Sequence, residues 1–332
     1  MSEIRKHYFL DEHCIIAFGR SKRPSAPKAC DDEKRSLSCV FCKGHEDQTP
    51  PANAVYKNGE ILKDTEEELV TGWDIRCIPN LYPALSPEAS EVEHSSFDVE
   101  KGFGFHEVII ENPNHESRLH LFSDEQILLL MKAYRDRVVH YRSMEGIEYV
   151  SLFKNWGKKA GASLEHTHSQ LIALPIEPSS IGKEKKVISG LERCPYCEIV
   201  EKEKDGERHV YENDDFILIA PYYSRSPYEM WMLPKRHVNH ISGFSDELLF
   251  SLGDCIRKAV FLLEKTIPQL AYNYMFFQAE DDTNYHFNVR IAPVTSIAAG
   301  FEKNTDIYIN TMPPETAVEH LLENSELIPE EG

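Results

Sequence analysis

The sequence predicts an α+β fold made of two related halves, each a mainly antiparallel sheet with one long helix. The first observation is a repeat. Both halves carry, in the same order, a Cys-x-x-Cys pair, an apolar strand, a histidine, a helix-start segment, a second strand and a further histidine. The second is that each half has several runs rich in Tyr, Phe, Val and Ile, which are typical of strands, and one long segment whose apolar residues recur with the period of a helix. The third is that the chain lacks the glycine-rich phosphate loops of parallel nucleotide-binding folds.

The repeat can be followed element by element. In the first half it consists of Cys39–Cys42, a strand over 108–110, His115, Phe122–Glu125, a strand over 149–153, and the pair His166 and His168. In the second half it consists of Cys194–Cys197, a strand over 231–234, His237, Phe244–Glu247, a strand over 274–277, and His286. Both Phe-Ser-Asp-Glu segments predict a helix start, with Ser or Asp as the cap and the acids near the positive end of the helix dipole. The shared order indicates an ancient duplication.

A connector is predicted between the two halves. The proline-bounded segment Pro175–Ser180 and the charged segment Lys183–Lys186 are typical of a linker. We therefore expect an N-terminal catalytic domain over residues 1–185. A C-terminal domain over 186–332 would lack the His-x-His pair.

Charge and cysteine content narrow the function classes. The 332 residues include 36 basic and 55 acidic side chains, a net charge of −19, which would repel nucleic acid and anionic membrane surfaces. A small phosphorylated ligand is still compatible with this net charge. Charges more than about 10 Å from a binding site are largely screened, so the hydrogen-bond donors and basic groups close to the ligand decide whether it binds. No segment has the length of a signal or membrane-spanning sequence, so we expect a cytoplasmic protein. In a reducing compartment the two Cys-x-x-Cys pairs indicate metal or redox chemistry.

The segment from His166 to Gln170 is the main candidate for catalysis. His166, His168 and Gln170 alternate on a predicted strand, so their side chains share one face. The alternative is a surface strand that carries histidines by accident. A neutral imidazole, with a reference pKa of about 6.5, can attack phosphorus without a separate base. We therefore expect His168 to be a nucleophile on a nucleotide phosphate.

The segment before these histidines is rich in small residues. Gly157 to Ser163 includes Gly161 and Ala162, and such residues let backbone N–H groups approach phosphate oxygens. Ser163, Gln170 and neighbouring backbone donors would stabilise the charge that develops on the phosphate.

The first Cys-x-x-Cys pair predicts a zinc site. Cys39 and Cys42 need two further ligands, and His115 and His166 are candidates for a Cys₂His₂ set. A thioredoxin-like redox pair is the alternative, but no parallel βαβ context follows. If His166 binds metal, the ion would fix the strand that carries His168.

The second half offers a parallel set of ligands. Cys194, Cys197, His237 and His286 form it, with His240 as an alternative to His237. Counting back from the prolines that follow both strands aligns His286 with His168, whereas the zinc argument aligns it with His166. In either alignment this half lacks the His-x-His pair. We therefore assign it structure and ligand contacts.

One basic cluster stands near the start of this acidic chain. Arg20-Ser21-Lys22-Arg23-Pro24 is compatible with a solvated loop or with arginine forks that clamp phosphate.

A set of motifs extends over most of the chain: Cys39-x-x-Cys42, Asn80–Leu85, Gly102–Glu107, His115, Phe153–Asn155, Gly161–Gln170, Gly300–Glu302 and Tyr308–Asn310. Together they resemble galactose-1-phosphate uridylyltransferase, within the histidine-triad superfamily, and most of all the branch that includes plant ADP-glucose phosphorylase. The resemblance covers most of the chain. It implies two tandem histidine-triad-like half-domains and a ping-pong transfer in which His168 takes a nucleotidyl group from a nucleotide sugar and passes it to a second phosphate.

The resemblance also implies roles for individual residues. Family zinc ligands match Cys39, Cys42, His115 and His166, and a second site matches Cys194, Cys197, His237 and His286. Phosphate and sugar contacts are similar to Arg20, Arg23, Asn80, Asn155, Ser163 and Gln170, and the glycine-rich segment adds Gly161. Zinc as cofactor, a nucleotide sugar with a sugar-1-phosphate or phosphate as substrates, and a homodimer are what the resemblance implies.

One departure from the family pattern is Thr167, where the uridylyltransferases have proline. This departure leaves open which nucleobase the donor carries and which acceptor receives the nucleotidyl group. The alternatives to a hexose-1-phosphate uridylyltransferase are an ADP-sugar phosphorylase, a histidine-triad hydrolase, and a zinc-stabilised nucleotide-binding protein that does no chemistry.

Overall fold

The computed structural model describes residues 2–6, 11–17, 39–90, 92 and 96–323. The strands in these ranges are β1 Ser2–Lys6, β2 His13–Ala17, β3 Ala54–Lys57, β4 Glu60–Leu62, β5 Ile75–Pro79, β6 Val99–Lys101, β7 Phe105–Ile110, β8 Tyr149–Trp156, β9 His168–Leu174, β10 His209–Glu212, β11 Phe216–Ile219, β12 Met230–Pro234, β13 Tyr272–Phe277 and β14 Asn288–Pro293. The helices are α1 Asp124–Arg142, α2 Ser179–Ile188, α3 Pro195–Glu203, α4 Asp246–Thr266, α5 Gly300–Thr305 and α6 Pro314–Glu323.

The chain forms two compact units, each discontinuous in sequence. The first contains the described residues within Met1–Ser117, Lys132–Lys154 and Ser163–Ser189. The second contains those within Arg118–Met131, Asn155–Ala162 and Gly190–Gly332. Residues of the predicted connector form part of α2 instead of a loop. The boundary predicted near residue 185 stays a prediction.

The first unit is built on two antiparallel sheets. In the larger one the strand order is β8-β9-β7-β5-β3-β4, and in the smaller one β1 lies between β2 and β6. The register of β7 against β9 places Ile110 opposite His168 and Val108 opposite Gln170. The apolar strand β7 thus fixes where the polar residues of β9 lie.

The second unit repeats the antiparallel pattern in the order β10-β11-β12-β14-β13. Helix α4 contributes apolar side chains to the core of this unit, and those of Leu249, Leu252 and Ile256 are fully buried. An antiparallel sheet with long helices is the α+β class that the sequence predicts, and this prediction is confirmed.

Both predicted helix starts are confirmed. Ser245 caps α4 by accepting a hydrogen bond from the Leu248 amide, and Ser123 Oγ accepts one from the Gln126 amide at the start of α1. Capping serines satisfy amides that have no partner within the helix. Among the described residues, no helix combines the length and apolarity needed to cross a membrane.

Candidate active site and cysteine–histidine clusters

The first unit brings together Cys39, Cys42, His115 and His166, the four residues predicted as metal ligands. Their candidate ligand atoms all lie within 4.8 Å of one another. His166 Nδ1 is 3.7 Å from Cys39 Sγ and 3.6 Å from Cys42 Sγ, and His115 Nδ1 is 3.6 Å from Cys42 Sγ. Ligand bonds of about 2.3 Å to sulfur and 2.05 Å to nitrogen at a tetrahedral angle place S and N about 3.6 Å apart. The cluster therefore has the dimensions of a tetrahedral metal site.

The proton on His166 is placed by a backbone carbonyl. His166 Nε2 is 2.7 Å from the Asn112 carbonyl oxygen, which can only accept, so Nε2 carries the hydrogen. The lone pair of Nδ1 then points towards the thiols. Ligand histidines in metal sites are oriented by such a bond from their second nitrogen.

Burial sets the protonation of the cluster. It raises the pKa of the Cys39 thiol, and with the neighbouring Cys39 it raises the pKa of Cys42 to about 12. Burial also lowers the pKa of His166 to about 4, so the ring is neutral near pH 7. Without a cation the cysteines are thiols, and a bound cation is what would stabilise them as thiolates.

His168 lies at the start of β9 and is held by the residue two positions before it. His168 Nδ1 is 2.7 Å from the His166 carbonyl oxygen, so Nδ1 donates and Nε2 carries the lone pair. The His166 carbonyl therefore accepts a hydrogen bond from a side chain. Strand β9 begins at His168, whereas the sequence predicts a strand that already includes His166. The ring of Phe41 packs edge-on against His168 at 5.4 Å between centroids. The tautomer leaves Nε2 as the atom that can attack an electrophile.

The opposite face of the segment is held by a buried polar network. Glu111 accepts hydrogen bonds from Thr167 Oγ1 at 2.5 Å and from the Ser169 hydroxyl. Lys154 Nζ lies 2.5 Å from Glu111 and donates to the His168 carbonyl at 3.2 Å, and Tyr134 donates to Glu111 at 2.8 Å. Burial alone would raise the pKa of Glu111, but the charge and hydrogen bond of Lys154, with the hydrogen bonds of Ser169 and Thr167, lower it below its usual value. Thr167, the departure from the family pattern, is thus part of a network that fixes the strand.

Gln170 is oriented by a histidine for which no role was predicted from the sequence. His106 Nε2 is 3.0 Å from Gln170 Oε1, and the Ala84 amide donates to His106 Nδ1 at 3.1 Å. Asn80, a predicted substrate contact, lies beside the same ring, with its Nδ2 at 3.2 Å from His106 Nε2. Asn80 Oδ1 accepts from the Tyr82 amide.

The remaining predicted contacts are spread over both units. Ser163 of the first unit is half-buried in the segment before β9. In the second unit Asn155 Oδ1 accepts from Asn273 Nδ2 at 2.7 Å, and Gly161 has a φ of 89°, a left-handed conformation that favours glycine. Asn273 also donates to the Ala160 carbonyl. The predicted phosphate contacts Arg20 and Arg23 lie outside the described residues.

The second unit holds a matching cluster of Cys194, Cys197, His237 and His286. Cys197 Sγ is 3.5 Å from Nδ1 of both histidines, and the second nitrogen of each ring bonds a carbonyl, that of Thr283 for His237 and of Pro234 for His286. Here too burial raises the pKa of Cys197, to about 11, and lowers that of His286 to about 4.

The contacts of His240 distinguish it from His237, the other histidine predicted as a possible ligand of the second cluster. His240 Nδ1 is 2.8 Å from Ser242 Oγ and accepts the Ser242 amide, which caps the short helix Ile241–Gly243. His240 therefore has a local structural contact, while His237 belongs to the cluster.

The cluster also decides the alignment that the sequence left open. His286 takes the place of His166, and the residue two positions later, Asn288, takes the place of His168. Asn288 Nδ2 donates to the His286 carbonyl at 3.0 Å, as His168 does to His166. Its Oδ1 accepts from Arg290 Nε, and the Arg290 guanidinium lies over the rings of Trp231 and Phe277. The second unit therefore presents an amide and an arginine where the first presents an imidazole.

Comparisons with known proteins cover nearly the whole chain. A family model described as a domain of unknown function, DUF4921, matches residues 120–332. An ADP-glucose phosphorylase of Arabidopsis thaliana is 30% identical, over 97% of this chain and 93% of its own. A galactose-1-phosphate uridylyltransferase of Thermotoga maritima is also 30% identical, over 97% of this chain and 98% of its own.

A solved structure supports the same relationship. The crystal structure of an ADP-glucose phosphorylase from Arabidopsis thaliana with bound ADP-glucose matches with a TM-score of 0.74 and 29% identity, over 97% of this chain and 99% of that chain. The chain is thus equally similar in sequence to an ADP-glucose phosphorylase and to a galactose-1-phosphate uridylyltransferase. With relatives at 30% identity along almost its entire length, it belongs to the DUF4921 family and to the galactose-1-phosphate uridylyltransferase family of nucleotidyltransferases.

Proposed function

We propose that this protein is a nucleotidyltransferase of the galactose-1-phosphate uridylyltransferase type, which works through a nucleotidyl group on His168. The observation that carries the proposal is the hydrogen bond from His168 Nδ1 to the His166 carbonyl, because it leaves the Nε2 lone pair for attack. Relatives named uridylyltransferase and ADP-glucose phosphorylase support a nucleotide sugar as donor.

The first half-reaction follows from this geometry. His168 Nε2 forms a bond to the α-phosphorus of the nucleotide sugar, and the bond from that phosphorus to the bridging oxygen breaks, so the sugar 1-phosphate leaves with the electron pair. The imidazole becomes positively charged, and its Nδ1–H bond to the His166 carbonyl becomes charge-assisted and stronger. Gln170 and Ser163 donate hydrogen bonds to the phosphate oxygens. A ring that is already neutral needs no separate base.

The second half-reaction reverses the first with a different phosphate. An acceptor phosphate oxygen forms a bond to phosphorus and the bond to Nε2 breaks, which returns His168 as a neutral ring. A sugar 1-phosphate as acceptor makes the protein a uridylyltransferase, and inorganic phosphate makes it a phosphorylase. Asn80, Asn155, Gly161, Arg20 and Arg23 stay predictions as substrate contacts.

We also propose zinc at both cysteine–histidine clusters, since each has two cysteines, two histidines and tetrahedral spacing. In the first cluster the ion would hold His166, whose carbonyl orients His168, so its role is structural. Reduced thiols suit the cytoplasm, where we place the protein. The homodimer stays a prediction, which sedimentation of the purified protein would test.

A labelling experiment tests the proposal. The protein is mixed with UDP-glucose or ADP-glucose labelled in the α-phosphate, without acceptor, and the denatured chain is counted. We expect one acid-labile, base-stable label per chain, absent in His168→Ala and retained in His140→Ala, which changes an exposed histidine on α1. Absence of label from both donors would contradict the proposal and favour a binding protein.

The labelled protein then identifies the acceptor. Release of label as a new nucleotide sugar with galactose 1-phosphate supports a uridylyltransferase, and release as nucleoside diphosphate with inorganic phosphate supports a phosphorylase. Release as nucleoside monophosphate in buffer alone supports a hydrolase.

A further inference from the structure

His106 occupies the same face of the sheet as His168 and Gln170, but it is not a member of either cysteine–histidine cluster. It lies on β7 opposite Ile172, and the next residues on that face of β7 are the apolar Val108 and Ile110. The ring is buried, with 5% of its surface exposed. A polar ring in an apolar row is stable only when its nitrogens are bonded, so its partners indicate its role.

The partners of His106 determine its tautomer. The Ala84 amide can only donate, so Nδ1 carries the lone pair. A neutral ring then has its hydrogen on Nε2, which donates to Gln170 Oε1 at 3.0 Å. Asn80 Nδ2 lies 3.2 Å from the same nitrogen, but it is itself a donor and therefore accepts no hydrogen bond from this tautomer. Since Oε1 of Gln170 is the accepting end, the amide NH₂ is the end directed away from His106.

This orientation matters for catalysis. A carboxamide can present either an acceptor or two donors, and only the donors stabilise a negatively charged phosphate. Without a fixed donor at Oε1, shape alone does not select one orientation of the Gln170 carboxamide, because its oxygen and its NH₂ group are similar in size. His106 also receives its own orientation from the Ala84 amide, in the same Asn80–Leu85 motif as the predicted substrate contact Asn80.

We propose that His106 is a positioning residue that holds the Gln170 amide in its donor orientation towards the transferring phosphate. The inference rests on the proposed function, since it assigns a partner to a residue of the same site. The Ala84 amide determines the tautomer of His106, and His106 determines the orientation of the Gln170 amide. The loop after β5 therefore helps to position a group that stabilises the transition state.

Two matched substitutions separate this role from a packing role. His106→Gln can place an amide donor where Nε2 lies, whereas His106→Asn can place an acceptor where Nδ1 lies and loses the bond to Gln170. We expect single-turnover labelling of His168 to slow by less than about threefold in His106→Gln and by at least about tenfold in His106→Asn, with little change in donor affinity. A residue that only anchors the loop would give the opposite order.

A double-mutant cycle tests whether His106 acts through Gln170. Gln170→Ala alone should slow labelling by about 10²–10³-fold. Adding His106→Asn should then slow it by less than about twofold, because the group that His106 orients is gone. Losses that multiply in the double variant, with thermal stability matched among all variants, would overturn the inference.

A spectroscopic readout keeps the inference testable without activity. Long-range ¹H–¹⁵N spectra of the ¹⁵N-histidine-labelled wild-type protein should show His106 protonated at Nε2, with a signal that shifts in Gln170→Ala. If the wild type takes no label but this shift occurs, the proposed function fails and the contact stands. A His106 ring protonated at Nδ1, or a signal that does not respond to Gln170→Ala, overturns the inference whatever the activity.

Discussion

At the residue scale, one side-chain bond separates the two halves of this chain. His168 and Asn288 both donate to the carbonyl two residues earlier, which belongs in each case to a cluster histidine. The imidazole keeps a second nitrogen for chemistry, while the Asn288 oxygen is bonded by Arg290. The same backbone geometry therefore leaves a free ring nitrogen for the proposed nucleophile in one unit and supports a structural contact in the other.

The buried ion pair of Glu111 and Lys154 leads to a prediction about stability. Glu111→Gln leaves the ammonium of Lys154 buried without its counter-charge, so the free energy of unfolding should fall by about 3–5 kcal/mol. Glu111→Gln combined with Lys154→Met removes both charges and should lose less than Glu111→Gln alone. Urea denaturation followed by circular dichroism measures both. A double variant less stable than Glu111→Gln would contradict a buried-charge explanation.

At the element scale, a glycine permits close packing of two helices. Gly253 lies in α4, and a Cβ added there would overlap Ile127 Cγ2 and lie 2.9 Å from Met131 Cγ, both within α1. All three residues belong to the second unit. The predicted helix starts are correct in sequence, but which faces of the helices meet depends on this small residue.

A substitution at this contact should therefore destabilise the protein. Gly253→Ala is expected to lower the free energy of unfolding by about 1–3 kcal/mol, because overpacking forces the helices apart. Ile127→Ala removes the atom that would overlap, so the double variant should lose less than the sum of the two single losses. Thermal denaturation of the four proteins measures the coupling. Additive losses would show that the residues do not contact.

At the scale of the whole molecule, the repeat predicted from the sequence is present in the two cysteine–histidine clusters and absent from the His-x-His pair. Both units keep the antiparallel sheet, the two cysteines, and a buried cluster histidine, His166 or His286, whose second nitrogen bonds a carbonyl. Only the first has the His-x-His segment. The features common to both units are those expected to stabilise each fold, which agrees with the proposed structural role of the metal sites.

Metal analysis tests this division. We expect about two zinc ions per chain by elemental analysis, because the chain has two tetrahedral Cys₂His₂ clusters. Cys42→Ser should reduce the content to about one ion and lower the melting temperature, while Cys14→Ser, which changes an exposed cysteine on β2, should keep both ions. A wild-type chain without zinc, or Cys42→Ser that retains two ions, would contradict the assignment.

The sequence by itself determined what depends on local spacing and on order along the chain. The Cys-x-x-Cys pairs, the alternation of His166, His168 and Gln170, the helix caps and the repeated order of elements are all local patterns, because side-chain direction follows a fixed period in each element. They predicted the α+β class, both sets of cluster residues and the nucleophile candidate.

Only the tertiary structure decided what depends on contacts distant in sequence. Strand register brought His106 to Gln170 and Glu111 to Thr167, and the second cluster aligned His286 with His166 and left His240 aside. No periodic pattern marks a single buried histidine within an apolar strand, such as His106, or a single buried glutamate directly after it, such as Glu111. Its partner is chosen by strand pairing, and a one-residue change of register would turn each side chain to the other face.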